Sequence, residues 1–249
     1  MSMFSAGQRI LVTGAGSGIG KAAALLCNQR GATVIAVGRT HAKLEQARSA
    51  AAFPSAWYCE SIDLTEQVEE LPEWLGRLRQ QHGKFRGLIH AAGESLMDSL
   101  QNCCLEQMRR QYESNTLVPF ILAKAFADRR NCEKGGAMVF FSSVAAIRPT
   151  RGRLSYGAAK AALAAGMASL SRELAGRLRV NCVAPALVDT PMTQAEDAAL
   201  GGDYLAGQVR NYPLGLGRPE DAASLAVFLV SEEARWITGQ NYIMDGGCL

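Results

Sequence analysis

Short apolar runs rich in β-branched residues alternate with longer amphipathic segments along most of this 249-residue chain. A short apolar run indicates a strand buried on both faces, whereas apolar side chains three and four residues apart indicate a helix with one buried face. Seven runs fit a buried strand, in order RILVTG, ATVIAVG, AWYCESID, GLIHAAG, AMVFFSS, LRVNCVAP and NYIMDGG. The pattern therefore predicts seven strands with helices between them.

The predicted helices occupy six segments, which are 21–30, 41–52, 66–82, 105–130, 156–178 and 219–230. Regular alternation of strand and helix is typical of a parallel sheet, because each helical crossover returns the chain to the same edge of the sheet. We therefore predict an α/β protein. It should be a single doubly wound Rossmann-type domain over residues 1–249, with a seven-stranded parallel sheet and helices on both faces.

One connection breaks this alternation, the segment 188–217 between the sixth predicted strand and the last predicted helix. It follows the carboxyl end of a strand, which is the edge where open α/β sheets bind ligands. Long connections in compact domains usually carry function. We expect a substrate lid near residues 188–217.

Charge narrows the range of partners. The chain has 26 Lys and Arg against 23 Asp and Glu, a formal charge of +3, and it has no long basic block. Proteins that bind nucleic acids or membrane surfaces usually have a larger cluster of basic residues. We therefore expect neither partner and favour small-molecule chemistry. No apolar stretch reaches the roughly 18 residues of a membrane span.

The cysteines argue against two further classes of protein. Seven cysteines, an odd number without CxxC or Cys/His spacing, fit neither a disulfide framework nor a zinc site. We predict reduced thiols and no bound metal. The amino-terminal stretch lacks the charged region, apolar core and cleavage site of a signal peptide, so a cytoplasmic location is expected.

A glycine-rich turn directly follows the first predicted strand. The sequence VTGAGSGIG places Gly14, Gly18 and Gly20 in the pattern TGxxxGxG. Glycine lets the backbone turn tightly and approach a pyrophosphate, and the amino end of the following helix favours an anion. Such a turn can also serve only to pack a helix on a sheet. Its position at the first strand-to-helix crossover favours a dinucleotide site.

The end of the second predicted strand bears on the choice of cofactor. Arg39 and Thr40 stand there, with no acid beside them in the sequence. Folds that select NAD usually place an acid at this point for the ribose 2′-hydroxyl, whereas an arginine suits the 2′-phosphate of NADP. The alternative is a solvated arginine next to a threonine that caps a helix. We predict NADP(H) in preference to NAD.

The stretch LSYGAAKAAL sets Tyr156 and Lys160 one turn apart on a predicted helix. Taken alone, they could be surface residues of a helix whose alanines permit close packing. Carbonyl reduction, however, needs a proton for the oxygen, and a tyrosine with a pKa of about 10 donates one slowly unless a nearby ammonium favours the phenolate. The pair therefore indicates a general acid/base.

Further motifs stand between and after these two. They are Asp63-Leu64 after the third strand, HAAG at the end of the fourth, Asn115 in YESNTLVPF, Ser143 thirteen residues before Tyr156, and NCVAPALVDTPM. In this order the motifs resemble the short-chain dehydrogenase/reductase family over almost the whole chain. The family usually has NNAG where this chain has His90 and Ala91 before Ala92 and Gly93, and a glycine where it has Ala186.

The resemblance implies carbonyl reduction to a secondary alcohol, or the reverse, by hydride transfer. It implies that Tyr156 is the acid/base, Ser143 holds the substrate oxygen, Lys160 binds the nicotinamide ribose, and Asn115 kinks its helix and carries a water toward Lys160. It also implies a cofactor site made of Thr13, Gly14, Ser17, Gly18, Ile19, Gly20, Arg39, Thr40, Asp63, Leu64, Ala91, Ala92, Gly93, Tyr156, Lys160, Pro185, Val188 and Thr190.

Within the family, the layout, GRPEDAA and ITGQ…DGG look most like the bacterial 3-oxoacyl-[acyl-carrier-protein] reductases. Lys134 and Arg177 match positions where those enzymes dock the acidic carrier protein, with Arg129 and Arg130 nearby, although helix-end cations explain all four equally well. A sugar, polyol, steroid or other small carbonyl is the alternative substrate.

Two hypotheses from different functional classes also fit the fold. One is a dehydratase or epimerase acting on nucleotide sugars, which the short chain and compact lid disfavour. The second is a dinucleotide-binding regulatory protein without turnover, which the intact set of Asn115, Ser143, Tyr156 and Lys160 disfavours. The resemblance further implies a homotetramer or homodimer that pairs through the helices carrying Asn115 and Tyr156.

Overall fold

Seven parallel strands form one sheet in the order β3-β2-β1-β4-β5-β6-β7. The computed structural model describes residues 3–97 and 99–248. Its strands are β1 (Arg9–Thr13), β2 (Thr33–Gly38), β3 (Trp57–Ser61), β4 (Phe85–His90), β5 (Cys132–Phe141), β6 (Arg179–Pro185) and β7 (Asn241–Met244). The seven predicted strands and their parallel arrangement are confirmed.

Helices cover both faces of this sheet. They are α1 (Gly18–Gln29), α2 (His41–Ser49), α3 (Leu71–His82), α4 (Leu105–Tyr112), α5 (Val118–Phe126), α6 (Leu154–Glu173), α7 (Pro191–Ala199), α8 (Tyr204–Val209) and α9 (Pro219–Val230). In β1, Ile10 and Val12 pack into one core with α1 and α9, whereas Leu11 packs into the other with α3, α5 and α6. This alternation along one strand confirms the doubly wound, single-domain fold.

The helix predicted over residues 105–130 is divided into two. A π-helical segment, Glu113–Leu117, separates α4 from α5, and the Val118 N–H bonds to the Glu113 carbonyl. Two residues account for the break: the Asn115 side chain donates to the Gln111 carbonyl at 3.1 Å, and Pro119 has no N–H to continue the α-helical ladder. The break lies where the resemblance implied a kinked helix.

Other boundaries also differ from the prediction. The predicted helix 66–82 begins only at Leu71, because Pro72 favours the first turn of a helix. The predicted helix 156–178 ends at Glu173, since Gly176 has a φ of +78° and Leu178 turns into the core. The segment 188–217 contains α7 and α8, which the periodicity of apolar residues did not predict.

Gly20 lies where helix α1 meets the turn after β1. A Cβ at this position would lie 2.3 Å from the Gly14 carbonyl oxygen, so any side chain would push the turn away from the helix. We expect Gly20→Ala to lower the free energy of unfolding by roughly 1–3 kcal/mol, measured by urea denaturation. Gly76→Ala is the matched control, because a Cβ there meets nothing within 4 Å. It should not destabilise, and equal stability of both variants would contradict the prediction.

Candidate functional site

Two adjoining cavities of about 570 Å³ each open at the carboxyl edge of the sheet. The glycine-loop cavity is lined by the turn after β1, the ends of β2 and β3, and the segment after β4. The tyrosine cavity is lined by Ser143, Tyr156, Lys160 and residues of the segment 188–217, which we predicted to be a lid and call the lid segment. Ile19, Gly93 and Thr190 line both cavities. A molecule that extends from one to the other would therefore pass these residues.

The turn after β1 leaves the amino end of α1 accessible to an anion. Gly14 and Gly18 have φ values of +70° and +51°, which favour glycine. A Cβ on Gly14 would lie 2.9 Å from the Ala91 carbonyl carbon, so the loop also packs closely against the segment after β4. Ser17 is exposed and its hydroxyl does not cap α1, and no acid stands in the first turn of that helix. These features fit a pyrophosphate bound by backbone N–H groups.

His90 links β4 to β1 at the position where the family usually has an asparagine. Its Nδ1 lies 2.9 Å from the Thr13 hydroxyl, which also accepts the Ala92 N–H at 3.2 Å. Burial, together with the nearby positive charge of Lys160, lowers the pKa of His90 to about 3. The imidazole is therefore neutral at physiological pH. The departure from NNAG leaves a connection between Thr13 and the segment 90–93 in place.

Arg39 has acidic neighbours that the sequence did not reveal. Its Nη1 lies 3.4 Å from Glu94 Oε1 and 3.8 Å from Asp63 Oδ2, across the glycine-loop cavity. Arg110 also binds Glu94, at 2.6 and 3.0 Å. No acid stands beside Arg39 in the sequence, but these two approach it in space, because strand ends far apart in sequence meet at this edge. The Arg39 side chain is still 64% exposed and can turn toward a ligand.

The predicted residues Thr40, Asp63 and Leu64 also line the glycine-loop cavity. Asp63 accepts hydrogen bonds from the Thr65 N–H at 3.0 Å and hydroxyl at 2.7 Å. Burial raises the pKa of Asp63, but these bonds and the charges of Arg39 and Arg110 hold it below its usual value. Leu64 is buried. Thr40 occupies the position before α2 without making a side-chain capping bond, so its hydroxyl is not used by the helix.

Ser143, Tyr156 and Lys160 converge in the tyrosine cavity. Lys160 Nζ donates to the Phe141 carbonyl at 2.8 Å and lies 5.8 Å from the centre of the Tyr156 ring. Burial lowers the pKa of Lys160 to about 8. Burial also raises the pKa of Tyr156, against a hydrogen bond with Ser143 and the charge of Arg153, which lower it. The phenol is therefore protonated at neutral pH.

Asn115 faces the same cavity from the π-helical segment. Its Nδ2 donates to the Glu94 carbonyl at 2.8 Å, and its buried Oδ1 has no hydrogen-bond partner among the described residues. A Cβ on Gly93 would lie 2.8 Å from Asn115 Oδ1 and 3.4 Å from Lys160 Nζ. Because Gly93 has no side chain, a gap remains between the acceptor Asn115 Oδ1 and the donor Lys160 Nζ. A gap lined by these two polar atoms suits an ordered water.

The lid segment begins against the glycine loop. Pro185 ends β6, and Val188 forms an isolated parallel bridge with Gly217, which closes the base of the segment. Thr190 accepts the Thr193 N–H at 3.3 Å and so caps α7. A Cβ on Gly18 would lie 3.3 Å from Thr190 Cγ2. The predicted cofactor residues of the lid segment therefore lie beside those of the turn.

The tyrosine cavity also contains an ion pair that we did not predict from the sequence. Arg153 Nη1 and Nη2 donate to the two carboxylate oxygens of Glu196 at 2.7 and 2.6 Å, and the guanidinium carbon lies 5.5 Å from the centre of the Tyr156 ring. Arg153 could have been found, because three residues before Tyr156 places it near the same helix face. Glu196 stands on α7 and carried no such signal.

Membrane-spanning helices and metal clusters are both missing from residues 3–97 and 99–248. No helix in that part of the chain has the length and apolar character needed to cross a membrane. The same residues contain no group of three or more His, Cys, Asp or Glu side chains placed to hold a metal ion.

Known proteins resemble this sequence over nearly its full length. A family model described as Enoyl-(Acyl carrier protein) reductase matches residues 14–248. The 3-oxoacyl-[acyl-carrier-protein] reductase of Thermotoga maritima is 32% identical over 249 residues, with 97% of each chain covered. The 2-keto-3-deoxy-L-fuconate dehydrogenase of Xanthomonas campestris pv. campestris is 32% identical over 247 residues, which cover 97% of this chain and 80% of that one.

The fold has a close match among solved structures. A short-chain dehydrogenase/reductase from Brucella melitensis, described as a glucose/ribitol dehydrogenase, superimposes with a TM-score of 0.91 at 26% identity, covering 100% of this chain and 99% of that one. The family match, the similar sequences and this superposition agree with the order of motifs and the convergence of their side chains. The chain therefore belongs to the short-chain dehydrogenase/reductase family, and it is an oxidoreductase that acts on CH–OH or C=O groups with a nicotinamide dinucleotide.

Proposed function

We propose that this oxidoreductase uses NADP(H) to reduce a ketone to a secondary alcohol, or to catalyse the reverse, with Tyr156 as proton donor and acceptor. The observation that carries the proposal is the convergence of Ser143, Tyr156 and Lys160 in a cavity that adjoins the glycine loop. The test is NADPH oxidation with a panel of carbonyl compounds. NADPH binding without turnover of any carbonyl would favour the regulatory alternative.

The residues present fit the cofactor. The turn 13–20 would hold the pyrophosphate, Arg39 and Thr40 the adenosine ribose and its 2′-phosphate, and Asp63 and Leu64 the adenine. Ala91, Ala92 and Gly93 would lie along the centre, with Pro185, Val188 and Thr190 at the nicotinamide. A bound nicotinamide supplies hydride to a carbonyl carbon or accepts it from a carbinol carbon.

Tyr156 provides the proton that balances this hydride. In reduction, negative charge builds on the carbonyl oxygen, and the Tyr156 hydroxyl donates its proton there while Ser143 Oγ donates a hydrogen bond. Lys160, one helical turn away, stabilises the phenolate that remains. In oxidation the phenolate takes the proton from the alcohol. Because Ser143 begins a short helical turn and also accepts the Ala145 N–H at 3.1 Å, its hydroxyl is held in position.

A water in the gap left by Gly93 would return the proton. Asn115 Oδ1 would accept a hydrogen bond from it, and Lys160 Nζ would donate to it. The Asn115 amide is held by the Gln111 and Glu94 carbonyls, to which its Nδ2 donates at 3.1 and 2.8 Å, and this leaves Oδ1 without a partner among the described residues. Asn115 is thus a positioning residue for the water.

The pH dependence of reduction follows from Lys160 and Tyr156. Reduction needs a protonated phenol and a charged ammonium, and burial lowers the pKa of Lys160 to about 8. We expect kcat/KM for reduction to be constant below pH 8 and to fall above it. Oxidation needs the phenolate, whose formation burial opposes by raising the pKa of Tyr156, so oxidation should increase toward alkaline pH. A reduction rate that rises from pH 8 to about 10 would contradict these assignments.

A 3-oxoacyl thioester carried by acyl carrier protein is the first substrate that the sequence suggested. Lys134, near the amino end of β5, and Arg177, just before β6, meet where the Gly135 N–H donates to the Arg177 carbonyl at 2.8 Å. Ser143 follows the opposite, carboxyl end of β5. A carrier docked on these residues would not lie over the tyrosine cavity of the same chain. We therefore rank a small polar carbonyl compound, sugar or polyol above the carrier-bound thioester.

Two exposed apolar surfaces support a homotetramer or homodimer. One lies on α4 and the π-helical segment, where Leu105 and Leu117 are 61% and 51% exposed, and the other lies at the free edge of the sheet, where Trp236 and Ile243 are 90% and 48% exposed. We expect the purified protein to show the mass of two or four chains by light scattering. A single-chain mass at micromolar concentration would contradict this assembly.

The cysteines support a reducing compartment. All seven lie within the described residues, and no two of them form a disulfide. Disulfides are rare in proteins of the cytosol, where thiols are kept reduced. We therefore place the protein in the cytoplasm.

A further inference from the structure

The ion pair of Arg153 and Glu196 joins the catalytic helix to the lid segment. Arg153 stands immediately before α6, three residues from Tyr156, whereas Glu196 projects from α7. Their side chains are only 10% and 11% exposed, and both line the tyrosine cavity. The mechanism proposed above for Tyr156, Ser143 and Lys160 does not use this pair. The buried ion pair at the wall of this cavity is therefore free to take part in binding the substrate.

Both groups can form further hydrogen bonds. An arginine has five N–H donors, and a carboxylate has about four lone-pair sites. Arg153 donates to both Glu196 oxygens and to the Ser95 hydroxyl, and the bonds among the described residues leave further donors and acceptors of the pair available. A hydroxyl group both donates and accepts, so two neighbouring hydroxyls can bind the carboxylate and the guanidinium together without separating them.

An ion pair at this place would favour some classes of substrate over others. Because it is electrically balanced, it offers a carboxylate substrate little net attraction. An alkyl or acyl chain would displace water from both charged groups. It could not form hydrogen bonds in place of those that the water had made, and this loss costs free energy. A neutral hydroxylated chain avoids both problems.

Polar side chains also line the tyrosine cavity outside the ion pair. Four side chains from α8 and the residues after it line the tyrosine cavity and can donate or accept hydrogen bonds without carrying charge, and these are Tyr204, Gln208, Asn211 and Tyr212. Thr150 adds another hydroxyl to the lining of the cavity. A linear substrate with its carbonyl at Tyr156 would thus find polar groups in this cavity besides the ion pair.

We propose that the Arg153–Glu196 pair binds the hydroxyl groups next to the reacting carbon, and that the substrate is a short polyhydroxylated ketone or the corresponding polyol. This inference rests on the proposed function, since it names the substrate class of the same site. Arg153 and Glu196 are then specificity-determining residues.

The test compares matched ketones in one assay. The kcat/KM with NADPH is measured for erythrulose, xylulose and fructose against the unsubstituted methyl ketones of equal chain length, together with levulinate and acetoacetyl-coenzyme A. Hydroxyl groups also raise the intrinsic reactivity of a ketone. The decisive quantity is therefore the ratio of kcat/KM for a hydroxylated ketone to kcat/KM for its unsubstituted partner, compared between the wild type and each variant. Glu196→Gln, which keeps the size of the side chain, should reduce the preference for the hydroxylated ketones roughly 10- to 100-fold.

Three comparisons keep the outcomes distinct. Asp203→Asn removes an exposed lid-segment carboxylate that does not line the cavity, and it should leave the preference unchanged. Titration with NADPH shows whether each variant folds. The double variant Arg153→Gln/Glu196→Gln should lose the preference for hydroxylated ketones, as Glu196→Gln does. An unchanged preference in folded Glu196→Gln overturns the inference, as does a wild-type preference for an alkyl ketone, levulinate or the thioester, while the proposed function stands. No turnover of any carbonyl by NADPH-bound wild type overturns both.

Discussion

Replacement of Tyr156 by phenylalanine is expected to lower kcat for carbonyl reduction by roughly 10²- to 10⁴-fold while NADPH binding is retained. The phenol is the group placed beside Ser143 to donate a proton, and a phenyl ring fills the same space without a hydroxyl. The Tyr156 ring also lies 5.5 Å from the Arg153 guanidinium carbon and 5.8 Å from Lys160 Nζ, contacts that a phenylalanine ring preserves. Steady-state kinetics and a fluorescence titration with NADPH measure the two effects separately.

A matched control for this variant is Tyr58→Phe. Tyr58 is 44% exposed on β3, and its ring contact with His82 does not need the hydroxyl. It should keep the wild-type kcat. If Tyr156→Phe reduced the ketone at the wild-type rate, another group would have to supply the proton, and the mechanism would be wrong.

Replacement of Arg39 by alanine is expected to raise KM for NADPH roughly 10- to 100-fold and to leave KM for NADH unchanged or lower. The variant loses the charge-assisted hydrogen bonds from the guanidinium to the 2′-phosphate, a group that NADH does not have. The acids Asp63 and Glu94, which Arg39 approaches within 3.8 and 3.4 Å, would also lose a neutralising charge. Asp63, and to a lesser degree Glu94, which keeps Arg110 as a partner, would repel the 2′-phosphate and could accept hydrogen bonds from ribose hydroxyls.

The control for this variant is Arg109→Ala, which removes an exposed arginine of α4 that does not line the glycine-loop cavity. It should change neither KM. Equal losses for the two cofactors in Arg39→Ala would show that Arg39 supports the fold of the cavity rather than the 2′-phosphate. A wild-type preference for NADH would overturn the assignment of NADP.

The sequence predicted the sheet well, because buried parallel strands such as β1 and β2 are continuous apolar runs that few other structures explain. Helix boundaries were less predictable. The π-helical segment depends on a side chain, Asn115, that bonds to a carbonyl one turn away, and apolar spacing does not report such a bond. The pair Thr190-Pro191 is typical of the start of a helix, here α7. The apolar face of α7 is too small, however, for the spacing of apolar residues to indicate a helix.

The site was predictable where it depended on local spacing. Tyr156 and Lys160 share a helix face by virtue of one turn of helix, and glycines of a turn can be recognised from the pattern itself. Contacts between distant segments could not be predicted. Glu196 reaches Arg153 only through the path of the lid segment, and Glu94 reaches Arg39 only because β2 and β4 end at the same edge of the sheet.

Hydride transfer with Tyr156 as proton donor is tested most simply by the transfer of deuterium from labelled NADPH to a carbonyl carbon. The wild-type protein and Tyr156→Phe would each be incubated with NADPH that carries deuterium at both C4 positions and with the carbonyl panel, and the alcohols would be analysed by mass spectrometry. We expect one deuterium on the former carbonyl carbon of the wild-type product, and a large loss of this product in Tyr156→Phe. Tight NADPH binding by the wild type without deuterium in any alcohol would contradict it.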